Sequence, residues 1–270
     1  MPDIDYFVRM TFVSNPLREP ILRSVIQTLQ FPLGSRGLDA GCGIGLQTLL
    51  LAEAMGPSGH ITGLDLSSEF LDHAKEMVEN AGLSERICLR EGDVNEIPFD
   101  DDTFDWAWSV DCVGYIPIEP LPLVKELARV VKPGGSVVIL AWSSDKLLPG
   151  YPLLEAHLNA TSSGIRPFVK GKKPESHFLR ALGWFHDAGL EEPTVRTFAG
   201  DVYAPLNDEL RSALIALFQM RWPEVESELI HEDWADYRRL CLPESADFIL
   251  NNADYYAFFT YSMFHGKVAR

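Results

Sequence analysis

Residues 37–48 read GLDAGCGIGLQT and constrain the fold of this chain more than any other stretch. An apolar run ends in Asp39, and the chain then breaks into three glycines, Gly41, Gly43 and Gly45, before an apolar segment resumes. This order is typical of a strand, a tight turn and a helix. Glycine adopts positive φ and lets a backbone approach a ligand without an intervening Cβ. Because open α/β sheets bind ligands at the carboxyl ends of their strands, the turn predicts a site for a nucleoside-like ligand with a negative group.

Strand and helix patterns alternate five times after this turn begins. Further apolar strands are predicted at residues 60–64, 87–90, 104–108 and 136–142. An amphipathic helix is predicted at residues 121–131, and the breakers K-P-G-G at 132–135 end it. Such alternation with short connections predicts an α/β fold with a doubly wound, mostly parallel sheet.

The remaining segments are less regular. Residues 1–35 are predicted as an N-terminal lid or helical segment, with an amphipathic helix at 20–30 that follows an aromatic stretch. Insertions at about 143–176 and 207–252 are expected to form a substrate cap on the main domain, residues 36–270. Aromatic residues in and near these insertions are candidates for an apolar acceptor pocket: Trp184, Phe185, Trp222, Trp234 and Tyr237. A helix at 177–188 and strands at 194–203 and 254–269 complete the prediction, with Asn207 as an N-cap.

Two acidic residues follow the second and third predicted strands. Asp65 is placed to accept hydrogen bonds from two ribose hydroxyls, with Leu66 beside it as an apolar face for adenine. Its alternative role is to cap the following helix, although Ser67 can do this instead. Asp93 is placed to accept from an adenine amine while the Val94 amide donates to a ring nitrogen; its alternative is a solvated turn aspartate. Together with Asp39, these carboxylates are predicted to line one edge of the sheet.

Composition narrows the class of protein. The formal charge of -16 argues against a nucleic-acid partner, because phosphate binding requires a basic stripe. The four cysteines lack metal-ligand or disulfide spacing, and no metal site is expected. No secretion signal or membrane span is predicted, so a cytoplasmic protein is expected, of unknown oligomeric state.

The order D-x-G-x-G-x-G, the acids after strands two and three, and the K-P-G-G strand entry resemble the class I S-adenosylmethionine-dependent methyltransferases, especially the small-molecule enzymes of ubiquinone and menaquinone biosynthesis. The resemblance implies a Rossmann-like fold with a seven-stranded sheet, a small-molecule substrate, and S-adenosylmethionine as cofactor, with S-adenosylhomocysteine as product. The cofactor-binding residues that it implies are Asp39, Gly41, Cys42, Gly43, Gly45, Asp65, Leu66, Asp93, Val94, Ser109 and Val110. In this assignment the glycines border methionine and ribose, and Ser109 and Val110 offer backbone carbonyls to the ammonium.

Methyl transfer from a sulfonium is an in-line displacement, so alignment is the main task of the protein. A general base is needed only for an acceptor that stays protonated. Candidates are Asp111, Tyr115, His177 and Tyr6, and for each a packing or capping role is the leading interpretation. Two other functions stay open: a regulator that binds S-adenosylmethionine (SAM) without turnover, and an NAD(P)-dependent oxidoreductase. The oxidoreductase is disfavoured because Leu46 stands where the dinucleotide fingerprint has its third small residue.

Overall fold

The computed structural model describes residues 4–113 and 119–269, which contain eight α-helices and seven strands. The helices are α1 (Ile4–Leu29), α2 (Leu46–Ala54), α3 (Ser68–Asn80), α4 (Pro120–Val130), α5 (Pro152–Asn159), α6 (Ala181–Asp187), α7 (Asp208–Arg221) and α8 (His231–Cys241). The strands are β1 (Arg36–Ala40), β2 (His60–Asp65), β3 (Ile87–Glu91), β4 (Phe104–Val110), β5 (Val131–Lys146), β6 (Leu190–Tyr203) and β7 (Tyr256–Val268). No helix within these ranges has both the length and the apolar character that a membrane span requires.

All seven strands form one sheet in the order β3-β2-β1-β4-β5-β7-β6. Strands β1 to β5 are all parallel. Strands β2 and β3 lie on one side of β1, and β4 and β5 lie on the other side, so the order of the strands switches between β1 and β4. Asp39 lies opposite Gly63 of β2 and Trp108 of β4 in this register. The predicted doubly wound α/β fold is therefore confirmed, and the carboxyl ends of β1, β2 and β4 meet at the point where ligands bind such sheets.

Strand β7 is antiparallel to its two neighbours, β5 and β6. Ser136 and Ser143 of β5 hydrogen-bond with His265 and Thr260 of β7, so residue numbers fall along β7 as they rise along β5. Contacts between β6 and β7 show the same antiparallel order. The Thr194 hydroxyl donates to the His265 carbonyl, and the hydroxyls of Thr197 and Ser262 are hydrogen-bonded. Strand β7 is therefore antiparallel to both β5 and β6, and the last two strands form the antiparallel end of the sheet.

Helix α1 is longer than predicted. The sequence placed a helix at 20–30 with Pro20 in its first turn, but the helix begins at Ile4 and contains both Pro16 and Pro20. Each proline removes one backbone hydrogen bond from a helix interior. Leu17, Ile21 and Leu22 are nevertheless buried, and burial of this apolar face outweighs the local preference.

Strand β5 also differs from its predicted bounds of 136–142. Phe104 of β4 is opposite Val131, whereas Trp106 is opposite Ser136, so the K-P-G-G segment is accommodated as an irregularity inside the strand. Gly134 adopts φ of 80°, a conformation that only glycine takes at little cost. The helix predicted at 177–188 is divided into a short 3-10 turn, Phe178–Arg180, and α6.

Residues of the chain cluster into two compact units. The sheet unit comprises Leu22–Trp142, Lys173–Phe198 and the chain from Tyr261 onward. Its core joins apolar residues of β1, β4 and β5 to fully buried side chains of α4, including Leu123, Val124 and Leu127. Trp184 and Phe185 of α6 belong to this core, and the Trp184 indole N–H donates to the Glu175 carbonyl at 2.7 Å. Their predicted place in an acceptor pocket is therefore wrong, because they fill the space between helix and sheet.

The second unit, here called the insertion unit, comprises the chain up to Ile21, Ser143–Lys172 and Ala199–Thr260. It contains most of the two predicted insertions, and Asn207 caps α7 as predicted by accepting from the Leu210 amide at 2.8 Å. Trp222 is buried here, and its indole N–H donates to the Asn159 side chain at 3.0 Å. Trp234 stacks on Tyr237 with ring centroids 5.4 Å apart.

Candidate functional site

The turn between β1 and α2 holds all three glycines in positive φ, at 79° for Gly41, 53° for Gly43 and 83° for Gly45. Gly45 is the N-cap of α2, where a Cβ would meet the Ala74 side chain of α3 at 3.1 Å. A Cβ on Gly41 would lie 2.5 Å from the Cys112 sulfur, whereas one on Gly43 would meet nothing within 4 Å. Packing and positive φ together favour glycine at position 41, positive φ and a tight contact favour it at position 45, and Gly43 leaves open space beside the backbone.

Asp39 is buried beneath this turn. Its side chain is 1% exposed and accepts a hydrogen bond of 2.6 Å from the Thr48 hydroxyl of α2. Burial raises the pKa of Asp39 from 3.8 to about 7; the Thr48 bond opposes this rise and the nearby Asp65 charge adds to it. The Asp39 carboxylate thus faces the first helical turn of α2.

Asp65 performs the task of holding the turn. One carboxylate oxygen accepts from the Gly43 amide at 2.8 Å, and the other accepts from the Ser67 amide at 3.0 Å. The cap of α3 is Ser67, whose hydroxyl oxygen accepts from the Phe70 amide at 3.2 Å. Asp65 is thus free of the capping role, and its oxygens keep lone pairs for a further donor. Leu66 beside it is 68% exposed, which suits an apolar ligand surface.

Asp93 lies after β3 and is exposed. One of its oxygens accepts from both the backbone amide and the side-chain amide of Asn95, at 2.8 and 2.7 Å. This is the geometry of an Asx turn, which holds the carboxylate in one orientation. Val94 is buried in the core of the sheet unit, so the backbone next to Asp93 is anchored.

The end of β4 packs directly against the glycine turn. The Ser109 hydroxyl is buried and donates to the Ala40 carbonyl of β1 at 2.7 Å. Val110 is buried beside it. Burial raises the pKa of the Cys42 thiol well above its ordinary value and that of Cys112 to about 12, and the carboxylates of Asp39 and Asp65 add to both shifts. Both thiols therefore stay protonated at neutral pH and act as small apolar groups.

The candidate general bases are engaged elsewhere. Asp111 accepts from the Trp142 amide and from the Tyr261 hydroxyl. His177 accepts from the Leu179 amide through Nδ1 at 3.2 Å, which caps a 3-10 turn, and burial lowers its pKa. Tyr6 belongs to α1 in the insertion unit, where the Arg9 guanidinium lies 5.8 Å from its ring centre. Tyr115 lies outside the residues that the structure describes.

Sequence reasoning missed Thr48 and Tyr261, and for Ser109, which it named for its backbone carbonyl, it missed the contact of the side-chain hydroxyl. Thr48 and Ser109 are buried hydroxyls that hold β1 to α2 and to β4. Tyr261 of β7 reaches Asp111 over 150 positions of sequence. For Thr48 the available signal was a hydroxyl in an otherwise apolar helix start. For Tyr261 no local pattern marks the contact, since it depends on strand order.

These residues fit a nucleoside ligand that carries positive charge. The glycine turn leaves room at Gly43, Asp65 presents a carboxylate next to it, and exposed Leu66 flanks that carboxylate. The carboxylates of Asp39, Asp65 and Asp111 lie near enough to Asp39 or to the two thiols to raise their pKa values, so the surroundings favour positive charge. Within the described part of the chain, no group of His, Cys, Asp and Glu side chains has the arrangement of a metal site.

Comparison with known proteins assigns the chain to a family. A family model described as a methyltransferase domain matches residues 38–135. The chain is similar to the demethylmenaquinone methyltransferase of Bacillus subtilis strain 168, with 42% identity over 184 residues that cover 63% of this chain and 77% of the relative.

Two solved structures share the architecture. A SAM-dependent methyltransferase from Aquifex aeolicus has a TM-score of 0.52 and 24% identity, over 70% of this chain and 90% of that one. The [4+2]-cyclase SpnF has a TM-score of 0.54 and 20% identity, over 92% of this chain and 80% of that one. At such identities the likeness shows the fold alone, and a cyclase among these structures shows that the fold does not decide the reaction.

Family membership therefore rests on the sequence match, which extends over most of a relative and includes the whole glycine turn. The residues found at the carboxyl ends of β1, β2 and β4 agree with it. The chain belongs to the class I S-adenosylmethionine-dependent methyltransferases.

Proposed function

We propose that this enzyme transfers the methyl group of S-adenosylmethionine to a small aromatic acceptor of the quinol type. The observation that carries the proposal is the 42% identity to a demethylmenaquinone methyltransferase, which covers 77% of that relative. Such a match extends well past the glycine turn that all cofactor-binding relatives need. The similarity therefore lies in more of the chain than this turn alone, which supports a shared class of acceptor.

Asp65 and the glycine turn form the first part of the proposed cofactor site. The Asp65 carboxylate already accepts from the Gly43 amide and retains lone pairs for ribose hydroxyls. Gly41, Cys42 and Gly45 complete the turn around the methionine and ribose. Asp39 is buried beneath the turn and accepts from the Thr48 hydroxyl, so it positions the turn relative to α2 without contacting the cofactor.

The second part of the proposed cofactor site surrounds the adenine and the ammonium. Leu66 supplies an exposed apolar face for the ring, and Asp93 accepts from the adenine amine while the Val94 amide donates. The Asn95 contacts occupy one Asp93 oxygen and orient the other outward. Ser109 and Val110 offer backbone carbonyls, and the Ser109 hydroxyl keeps that backbone close to β1.

S-adenosylmethionine supplies, when bound, a methyl group on a positively charged sulfur. The work of this chain is then to hold the acceptor in line and to exclude water. The described candidates for a general base, Asp111, His177 and Tyr6, have structural partners of their own. We therefore expect the proton that the acceptor loses to pass to solvent water, as from the ionised hydroxyl of a quinol, and not to one of these side chains.

The insertion unit is proposed as the substrate cap. It brings the chain up to Ile21 together with most of both predicted insertions. Trp222 and Tyr237 are buried within this unit, whereas Trp234 is partly exposed and remains available for an aromatic acceptor. We also propose a cytoplasmic location without a nucleic-acid partner, which the charge of -16 supports.

The test incubates the purified chain with S-adenosylmethionine and three acceptors: a reduced demethylmenaquinone with a short prenyl tail, a catechol and an aromatic amine. We expect only the quinol to gain one methyl group by mass spectrometry, with release of S-adenosylhomocysteine in equal amount. Methylation of the catechol or amine alone would replace the quinol assignment. Calorimetric binding of the cofactor without turnover of any acceptor would instead support the regulator.

A further inference from the structure

Asp111 occupies an unusual position at the end of β4. It adopts φ of 50°, a left-handed conformation that costs a residue with a Cβ about 1 kcal/mol. Its amide still donates to the Leu140 carbonyl of β5 at 2.9 Å, which extends the β4 to β5 ladder by one bond. The chain therefore leaves the sheet abruptly at this residue, directly after Val110.

The Asp111 side chain bridges the ends of the next two strands. One oxygen accepts from the Trp142 amide of β5 at 2.9 Å, so the carboxylate takes the place that the β4 backbone gives up by turning away. The other oxygen accepts from the hydroxyl of the fully buried Tyr261 of β7 at 2.7 Å. The rings of Trp142 and Tyr261 pack edge to face at 5.6 Å. One carboxylate thus joins three neighbouring strands.

The residue after Asp111 contacts the glycine turn. The Cys112 sulfur occupies the space where a Gly41 Cβ would lie, at 2.5 Å. Two residues before Asp111, the Ser109 hydroxyl donates to the Ala40 carbonyl just before Gly41. The short segment from Ser109 to Cys112 is therefore held against the cofactor turn on one side and against β5 and β7 on the other.

We propose that Asp111 is a positioning residue for the cofactor: its carboxylate, bound by the Trp142 amide and the Tyr261 hydroxyl, sets the backbone of Ser109 to Cys112 against the glycine turn. Glycine would adopt this φ without strain but cannot make the two side-chain bonds. In aspartate, the two side-chain hydrogen bonds offset the cost of the left-handed conformation. The inference rests on S-adenosylmethionine as the cofactor and is independent of the proposed quinol acceptor.

Four variants separate the contributions of backbone conformation, hydrogen bonding and charge. Asp111→Asn tolerates the left-handed conformation, accepts from the Trp142 amide and can donate to the Tyr261 oxygen. Asp111→Gly keeps the left-handed backbone conformation but loses both side-chain hydrogen bonds. Asp111→Ala loses both hydrogen bonds and also disfavours the left-handed conformation. Tyr261→Phe removes one of the two side-chain bonds. Calorimetry with S-adenosylmethionine and with S-adenosylhomocysteine measures their dissociation constants without any acceptor.

We expect Asp111→Ala to weaken cofactor binding about tenfold, because two hydrogen bonds to a carboxylate are lost. Tyr261→Phe and Asp111→Gly should weaken it about threefold, and Asp111→Asn should restore it to within about twofold of the wild type. The KM for the cofactor should rise by the same factors while kcat changes less. The matched control is Tyr255→Phe, which removes a buried tyrosine bond to the Leu147 carbonyl and should leave the affinity unchanged.

The proposal is overturned if Asp111→Asn loses kcat while binding the cofactor normally, since that result assigns Asp111 as a base. It is also overturned if Asp111→Ala binds as tightly as the wild type. Circular dichroism and the Tm of each variant check folding. If Asp111→Ala does not fold, Tyr261→Phe against Tyr255→Phe decides the question: equal affinities contradict the proposal, and a loss confined to Tyr261→Phe supports it.

Discussion

Replacing Asp39 by asparagine should remove the part of the pH dependence of stability that comes from this buried carboxyl. Burial raises the pKa of Asp39 from 3.8 to about 7, so the folded chain binds this proton more tightly than the unfolded chain does. Stability gained from the bound proton is complete below pH 4 and is lost as the pH rises through about 7. A difference of this size corresponds to about 4 kcal/mol, at about 1.4 kcal/mol for each pKa unit.

Asparagine keeps an oxygen that can accept from Thr48 but has no charge to bury. The free energy of unfolding of Asp39→Asn, relative to wild type, should therefore increase by up to about 4 kcal/mol between pH 4 and pH 8. Urea titrations at pH 4, 5, 6, 7 and 8 measure it, with the slopes compared to confirm that the two-state analysis holds. The contributions of the other titrating groups to the pH dependence cancel in this comparison, because both proteins contain these groups.

Asp105→Asn provides a control of opposite sign. Burial alone would raise the pKa of Asp105, but hydrogen bonds from the Arg36 amide and the Lys132 ammonium lower it overall. Its ionised form therefore stabilises the fold above the ordinary pKa of an aspartate, and Asp105→Asn should lose stability at neutral pH and less at acidic pH. If the difference between Asp39→Asn and wild type were the same at pH 5 and pH 8, the Asp39 carboxyl would not be desolvated and the reasoning would be refuted.

Three further outcomes test the site. Gly43→Ala and Gly82→Ala both place a Cβ in open space at positive φ, so each should cost about 1 kcal/mol of stability, but only Gly43→Ala should weaken cofactor binding in calorimetry; equal affinities would contradict a ligand at this turn. Asp65→Ala should weaken binding more than tenfold, about the effect of a lost charge-assisted hydrogen bond, and unchanged affinity would remove Asp65 from the site. Thr48→Val should cost about 1 to 3 kcal/mol in urea unfolding by leaving Asp39 without its donor, and Thr48→Ser should restore most of it; similar losses in both would point to packing.

Much of the site could be predicted because its signals are local. A glycine at positive φ, an acid directly after a strand and a serine before a helix each act within a few residues. Ser67 was weighed as an alternative cap for α3, and it makes that bond. The doubly wound parallel sheet followed from the alternation of patterns, since parallel connections leave few topologies.

Other expectations failed where packing outweighed local preference. Pro20 indicated a helix start, but α1 continues through it because a buried face compensates for the missing hydrogen bonds. Trp184 and Phe185 looked available for a pocket, yet they fill the core of the sheet unit. Aromatic residues at helical spacing give the same pattern in either role, and only their neighbours distinguish the two.

The sequence by itself indicated that a bare glycine turn and three acids, Asp39, Asp65 and Asp93, line one edge of a parallel sheet, because each of these features depends on residues close together in the chain. Tertiary structure alone decided which partners the acids have. Asp39 is buried against Thr48 and Asp65 holds the turn, while Asp111, which is outside this set of three, reaches a tyrosine 150 positions away. A carboxylate takes its pKa and its partners from the groups that surround it in space, and those come from strands and helices that no local pattern connects.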